Sequence, residues 1–172
     1  KKAEAKEPVV LEEKDLIYDK TFTCAVCDKE FSSKIMKTGK AKLIATDIDL
    51  QYRYENIDSI KYDVVTCPKC GYSALLRYFP MTTSAQAKLI KANVYGKVKL
   101  SPISGETYSY EDMLERYKLA LVCSIVKRAK DSEKAYVCLK NAWLLRGYAE
   151  ELELKNELTE EQRQELKTQE LE

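Results

Sequence analysis

The sequence predicts an α+β protein, in which a small zinc-ribbon-like β region precedes an α-helical hairpin or bundle. Two C-x-x-C pairs, each led in by a short β-branched and aromatic run, indicate the β region. Beyond about residue 106, apolar residues recur at helical spacing. We therefore expect a polar lead-in over 1–14, a zinc-ribbon-like domain over 15–80, a short helix and linker over 81–105, and a helical domain over 106–172.

Composition narrows the class of protein. With 172 residues, 45% of them hydrophobic and 33% charged, the chain is typical of a soluble globular protein. No apolar run approaches the roughly 18 residues that a membrane-spanning helix needs, so we expect no membrane partner. The polar start has no apolar signal core. Six cysteines, arranged as two pairs and two singles, indicate metal and reduced thiols, hence a cytoplasmic protein.

Charge is unevenly distributed along the chain. The net charge of +1 combines −1 over residues 1–13, +6 over 14–100 and −4 over 101–172. The segment Lys29–Lys42 holds five lysines and one glutamate around Phe31. It is interpreted either as a solvated loop, which we favour, or as a surface that contacts nucleic-acid phosphates.

Within the β region, three strands are predicted. Lys20–Thr23 leads into the first cysteine pair and Lys61–Thr66 into the second, and Lys42–Thr46 forms another strand between them. Asp47–Tyr54 is expected to be irregular.

Three helices follow, each with a start signal. Ser84 is expected to cap a helix that reaches about Asn93, and Ser109 to start one that reaches about Arg128. Asp131 or Ser132 is expected to cap the third helix. The short turn before it makes the second and third helices antiparallel neighbours.

Two further signals concern the end of the chain. Gly147 is expected to end or weaken the third helix. Thr159 and Gln162 form a capping-box pattern that starts a final charged segment. With nine acids and three bases from Glu150 to Glu172, this segment is expected to be mostly solvated.

The two cysteine pairs are the strongest chemical signal. Four thiolates can close a tetrahedral shell around one structural Zn²⁺, which leaves no position open for water or substrate. The predicted ligands are Cys24, Cys27, Cys67 and Cys70, which form two pairs with 39 residues between them. Gly71 follows the second pair and can adopt a left-handed turn, whereas Asp28 follows the first and tolerates that turn less well. Two disulfides, or reduced thiols without metal, remain the alternatives.

Cys123 and Cys138 each lie about seven residues from the turn between the second and third helices. One hypothesis is a redox-sensing pair facing across the hairpin. The other, which we favour, is two small buried apolar residues.

The sequence contains no evident catalytic site. Without histidine, triads that need it are excluded, and the five glycines form no phosphate-binding cluster. Asp47 and Asp49, followed by Tyr52 and Tyr54, are candidates for a small polar site, although a turn or hydrogen-bonding role is favoured. We predict no catalytic and no cofactor-binding residues.

Four phrases of the chain are similar to a known family. They are Tyr18–Cys27, Tyr62–Tyr72, Arg116–Leu121 and Ala142–Arg146. Together they resemble the uncharacterised bacterial proteins of domain-of-unknown-function family 2225, over roughly residues 15–150. The resemblance implies zinc ligation by Cys24, Cys27, Cys67 and Cys70, helices similar to tetratricopeptide repeats, and no assigned activity.

Three functional hypotheses follow. The first is a non-enzymatic, zinc-stabilised module that binds a protein or peptide. The alternative is a zinc-ribbon protein that binds nucleic acid through its basic region. The third is an enzyme with a site between the two parts, using Asp47, Asp49 and tyrosines.

Overall fold

Three antiparallel strand pairs precede four helices, in a computed structural model that describes residues 11–103 and 105–171. The strands are β1 (Ile17–Thr23), β2 (Glu30–Met36), β3 (Leu43–Thr46), β4 (Tyr52–Tyr54), β5 (Val64–Thr66) and β6 (Ser73–Leu75). The helices are α1 (Ser84–Asn93), α2 (Tyr110–Val126), α3 (Asp131–Leu154) and α4 (Glu160–Leu171). The predicted α+β class is confirmed. Most of the predicted lead-in, residues 1–10, lies outside the described residues.

The pair β1–β2 corrects the interpretation of the basic segment as a loop. β2 runs antiparallel to β1, with Phe31 opposite Phe22 and Glu30 opposite Thr23. In β2, Phe31, Ser33 and Ile35 are buried and alternate with more exposed residues. This period of two is the strand signal, but the lysines on either side obscure it.

The other two strand pairs agree with the predictions in part. β3 is confirmed, but Asp47–Tyr54 is not wholly irregular, since its last three residues form β4. The predicted strand Lys61–Thr66 is wrong over its first residues, because Ser59–Tyr62 is a 3-10 helix. The Asp58 side chain caps it by accepting a hydrogen bond from the Ile60 backbone at 3.1 Å.

Helix starts follow local capping chemistry. α1 has its predicted extent, but Thr83 rather than Ser84 is the cap, and Gln86 completes the capping box. Ser109 caps α2 as predicted, accepting from the Asp112 backbone at 3.1 Å. Neither Asp131 nor Ser132 caps α3. Lys130 holds the cap position and makes no capping bond through its side chain.

Gly147 lies inside α3, and the prediction that it ends the helix is wrong. A Cβ atom there would lie 2.6 Å from Asp58 Oδ2 and 2.7 Å from Tyr110 Oη. These two atoms are joined by a hydrogen bond of 2.8 Å. Glycine therefore allows α3 to approach the 3-10 helix and α2 closely, at a cost in helix propensity that packing outweighs.

The final helix has its predicted start, since Thr159 and Gln162 form both bonds of the capping box. Its residues are exposed or half-buried. Glu170 anchors it to α3 by accepting from Arg146 Nε at 2.9 Å. Within the described ranges, no helix combines the length and apolarity needed to cross a membrane.

The hydrophobic core joins the strands to the helices. α2 packs on β5 and β6 with one side and on α3 with another. Tyr117, fully buried on α2, donates a hydrogen bond to the Ile60 carbonyl at 2.9 Å. Apolar side chains from both halves form one cluster, which includes Ile60, Val64, Met113 and Leu144. The proposed domain boundaries and the tetratricopeptide character of the helices stay predictions.

Candidate metal centre

The structure brings the four predicted cysteines together. The Sγ atoms of Cys24, Cys27, Cys67 and Cys70 all lie within 4.8 Å of one another. Cys24 and Cys70 have their sulfurs 3.5 Å apart, and Cys27 and Cys67 have theirs 3.7 Å apart. A tetrahedral ion with Zn–S bonds of about 2.3 Å requires sulfurs about 3.8 Å apart. The geometry is thus compatible with a zinc site.

Both cysteine pairs adopt the same turn. The Asp28 backbone donates to the Cys24 carbonyl, and the Gly71 backbone to the Cys67 carbonyl, each at 2.9 Å. Gly71 has φ of 77°, the left-handed conformation expected of it, and Asp28, which tolerates that conformation less well, also adopts it with φ of 58°. In the first turn, the Val26 backbone also donates to Cys24 Sγ at 3.4 Å. Such bonds orient a thiolate towards a shared ion.

The sulfur separations favour a shared ion over the disulfide alternative. All six cysteines are free, and the short sulfur distances join one turn to the other. A disulfide would bring two sulfurs to about 2.05 Å. The site therefore has the separation of ligands around an ion rather than of bonded pairs.

Mutual interactions among the thiols move their pKa values in opposite directions. Hydrogen bonds from Cys24 and then Cys70 lower the pKa of Cys67. The hydrogen bond to Cys67 raises the pKa of Cys24 to about 12, and the bond to Cys24 raises that of Cys70 still further. One thiolate suppresses ionisation of its neighbours, so a full set of thiolates requires a divalent ion among them. Zn²⁺ fits this donor set.

Aromatic side chains surround the centre on one side. Phe22, Phe31 and Phe79 meet with ring centroids 5.8–5.9 Å apart, and Tyr72 stacks on Phe79 at 4.8 Å. Ile90 of α1 belongs to the same buried cluster. Three of the cysteines are buried and Cys27 is half-buried. Apolar packing of this kind limits access of water to the sulfurs.

A comparison with protein families identifies relatives of the chain. The model of the family described as "Uncharacterized protein conserved in bacteria (DUF2225)" matches residues 17–171. The chain belongs to this family. This match confirms the resemblance to the DUF2225 family that the sequence motifs indicated. Neither the search of curated proteins nor that of solved structures found a match.

The two remaining cysteines do not face each other as a redox pair. Cys123 is buried against the second turn, and its Sγ lies 3.8 Å from the Gly71 carbonyl. Cys138 is exposed on α3. The interpretation as a buried apolar residue is correct for Cys123 and wrong for Cys138.

Asp47 and Asp49 bind cationic and indole side chains around the turn between β3 and β4. Asp47 accepts from Arg53 Nε at 2.7 Å. Asp49 accepts from Trp143 Nε1 at 2.9 Å and pairs with Arg146 Nη2 at 2.8 Å. The hydrogen-bonding role favoured from the sequence agrees with these contacts. An enzymatic role stays untested.

The basic segment uses several of its lysines internally. Lys34 pairs with Asp19 at 3.2 Å, and Lys37 Nζ donates to the Asp15 carbonyl at 2.8 Å. Lys42 lies 3.7 Å from Glu55. These contacts favour the structural interpretation, and binding of nucleic acid by this segment stays an untested prediction.

Proposed function

We propose that this DUF2225 protein is a non-enzymatic, zinc-stabilised module that binds another protein. One Zn²⁺ held by the four cysteines would be purely structural, because four sulfur ligands complete its shell. Cysteines clustered as metal ligands, which need reduced sulfur, support a reducing cytoplasm as its location. The observation that carries the proposal is a hairpin that has an exposed apolar tip and is tied to α3 by ion pairs.

This hairpin, β3–β4 with its connecting turn 47–51, exposes apolar side chains that the sequence analysis did not single out. Ile48 at its tip is fully exposed and Leu50 is 70% exposed. Leu43, Ile44 and Tyr52 are also exposed nearby. Contiguous exposed apolar residues commonly mark an interaction surface. The sequence feature that could have indicated this surface is the alternation of aliphatic residues with Asp47 and Asp49.

Ion pairs fix the hairpin to the helices. Arg53 bridges Asp47 and Glu150 of α3, with bonds of 2.7 and 2.8 Å. Arg146 of α3 pairs with Asp49 of the turn at 2.8 Å. A surface held in place by such contacts loses little conformational freedom on binding.

The backbone of the tip is also unusual. Leu50 has φ of 69°, a left-handed conformation that bulky residues rarely adopt. Its backbone N–H donates to the Asp47 carbonyl at 2.9 Å, which closes the turn. Glycine would suit this position better for folding alone. Leu50 adopts this unfavourable conformation although its side chain is exposed and does not pack in the core, which favours a binding role for that side chain.

The partner we propose is an extended apolar segment of another protein that adds to β3 as a strand. All four residues of β3 are exposed, and β4 is its one partner among the described strands. A free strand edge beside aliphatic side chains offers both backbone hydrogen bonds and pockets for a peptide.

Affinity capture from the native host tests this function. The bait is the wild-type chain, the tip variant Ile48→Asp/Leu50→Asp, or the control Val122→Asp/Ile125→Asp, which alters two exposed apolar residues of α2. We expect a protein retained by wild type and control and lost by the tip variant.

Capture of the same proteins by all three baits would contradict the proposal. Size-exclusion chromatography of the purified chain gives a separate outcome. If the wild-type chain is a dimer and the tip variant a monomer, the partner is a second copy of this chain. The proposal of a segment from another protein would then be wrong.

A further inference from the structure

A groove separate from the hairpin lies beside the second cysteine turn. It has a volume of about 620 Å³, within the range of small-molecule sites. Its walls come from β2, β5, the turn Pro68–Gly71, the loop 96–103 and α2. Several distant parts of the chain therefore converge on one concave surface.

The charged side chains that line this groove are all basic. Of the Lys, Arg, Asp and Glu residues, those in its wall are Lys69, Lys99 and Arg116. The chain as a whole is balanced, with 29 basic and 28 acidic residues. Three cations in one wall are a local departure that favours an anion, although Cys70 also lines the groove and the Glu115 carboxylate lies near Arg116.

Arg116 is the fixed member of this set. It is only 7% exposed, and its guanidinium donates to the Asp112 carbonyl at 2.6 Å and the Ser101 carbonyl at 2.8 Å. The Glu115 carboxylate lies 3.7 Å from its Nη1 atom, beyond a hydrogen bond. The Glu115 carboxylate instead accepts from the Ser101 backbone at 3.2 Å. The buried cation is therefore oriented by neutral carbonyls and keeps N–H donors for an anion.

The rest of the lining suits the body of a polar organic molecule. Five hydroxyl groups line the groove, from Ser32, Ser33, Thr66, Ser101 and Tyr108. Apolar side chains, among them Val98, Leu100 and Ile103, complete the wall. The Tyr108 hydroxyl is held in place by the Lys34 backbone, which donates to it at 2.8 Å. Hydroxyls beside an apolar wall are typical of sites that bind a small polar metabolite.

We propose that this groove binds the phosphate monoester of a small hydroxylated molecule. A guanidinium with two lysines matches a doubly charged phosphate, to which arginine can donate two parallel hydrogen bonds. The hydroxyls of the wall pair with those of the ligand. This inference does not depend on the hairpin or on its protein partner.

Titration of the zinc-loaded chain, followed by amide NMR, tests the proposal with ribose 5-phosphate as the probe. We expect saturable shifts at Lys69, Lys99 and Ser101, with Kd on the order of 1 mM or tighter. Ribose and inorganic phosphate, each alone, should bind more weakly. Lys99→Glu should raise Kd by roughly tenfold or more. Lys91→Glu, the same charge change on exposed α1, should leave it unaltered.

Three results would overturn this inference. One is shifts that fail to saturate or that map outside the groove. Another is equal binding by the Lys99→Glu and Lys91→Glu variants. The third is loss of zinc by Lys99→Glu together with no response of wild type to ribose 5-phosphate, since the lysine would then only balance the charge of the thiolate centre.

Discussion

At the scale of the residue, Gly147 shows how packing can require a poor helix former. Gly147→Ala places a Cβ against the bonded Asp58 and Tyr110 side chains. Overpacking costs about 1–3 kcal/mol, against about 1 kcal/mol gained in helix propensity. We therefore expect urea unfolding to show a loss of up to about 2 kcal/mol. Addition of Tyr110→Phe should make the effect of Gly147→Ala smaller. A Gly147→Ala protein more stable than wild type would show that the site has room.

Asp49 gives a prediction on pH, because it contacts the chain's single tryptophan. Burial opposes its ionisation, but hydrogen bonds from Arg146 and Trp143 prevail and lower the pKa of Asp49. The pKa of Asp49 in the folded protein lies below its value of about 3.9 in the unfolded chain. The contribution of Asp49 to the stability of the fold is therefore complete above about pH 3.9 and is lost as the pH falls through the folded pKa. Trp143 fluorescence should change below about pH 4 in wild type. If the fluorescence of Trp143 changes in the same way at acid pH in the Asp49→Asn variant, Asp49 is not the cause.

At the scale of the element, the β3–β4 hairpin depends on α3 for its order. Arg146→Met removes the bonds to Asp49 and Glu170. Because Arg146 is partly exposed, we expect only about 1 kcal/mol of global destabilisation. Hydrogen exchange should nevertheless become faster over residues 43–54. Arg163→Met, which breaks pairs with Glu153 and Glu160, is the control and should leave this exchange unaltered. Equal rates of hydrogen exchange over residues 43–54 in both variants would mean that the ion pairs of Arg146 do not order the hairpin.

Elements were predictable where local chemistry decides them. The caps Ser109 and Thr159 and the left-handed Gly71 depend on residues nearby in sequence, and these predictions were confirmed. The 3-10 helix before β5 was missed because long-range contacts stabilise it, such as that from Tyr117 to the Ile60 carbonyl. The exposure of Ile48 was also unpredictable, since an aliphatic residue is expected to be buried.

At the scale of the whole molecule, the cysteine cluster joins the front strands to the helices. Ile90 of α1 and Leu119 of α2 share one buried cluster with the cysteines. Structural zinc contributes on the order of 10–16 kcal/mol in small modules, more than a typical domain's net stability. Cys67→Ser should therefore lose zinc and unfold the region around β1, β2 and β5, as followed by a zinc dye and amide NMR. Cys138→Ser, at an exposed cysteine, should keep both zinc and fold.

The membership of the cysteine cluster was predictable from the two C-x-x-C pairs, because four cysteines in this arrangement can surround one ion. The basic groove was not, since Lys69, Lys99 and Arg116 are distant in sequence and meet only through the packing of α2 on β5. A site assembled from several elements has no local pattern to recognise.

X-ray absorption at the zinc edge of the purified chain tests the central claim, a structural ion with a closed sulfur shell. We expect one zinc per chain with four sulfur neighbours at about 2.3 Å. An oxygen neighbour at about 2.0 Å, or a purified chain whose cysteine pairs are oxidised and hold no metal, would contradict it.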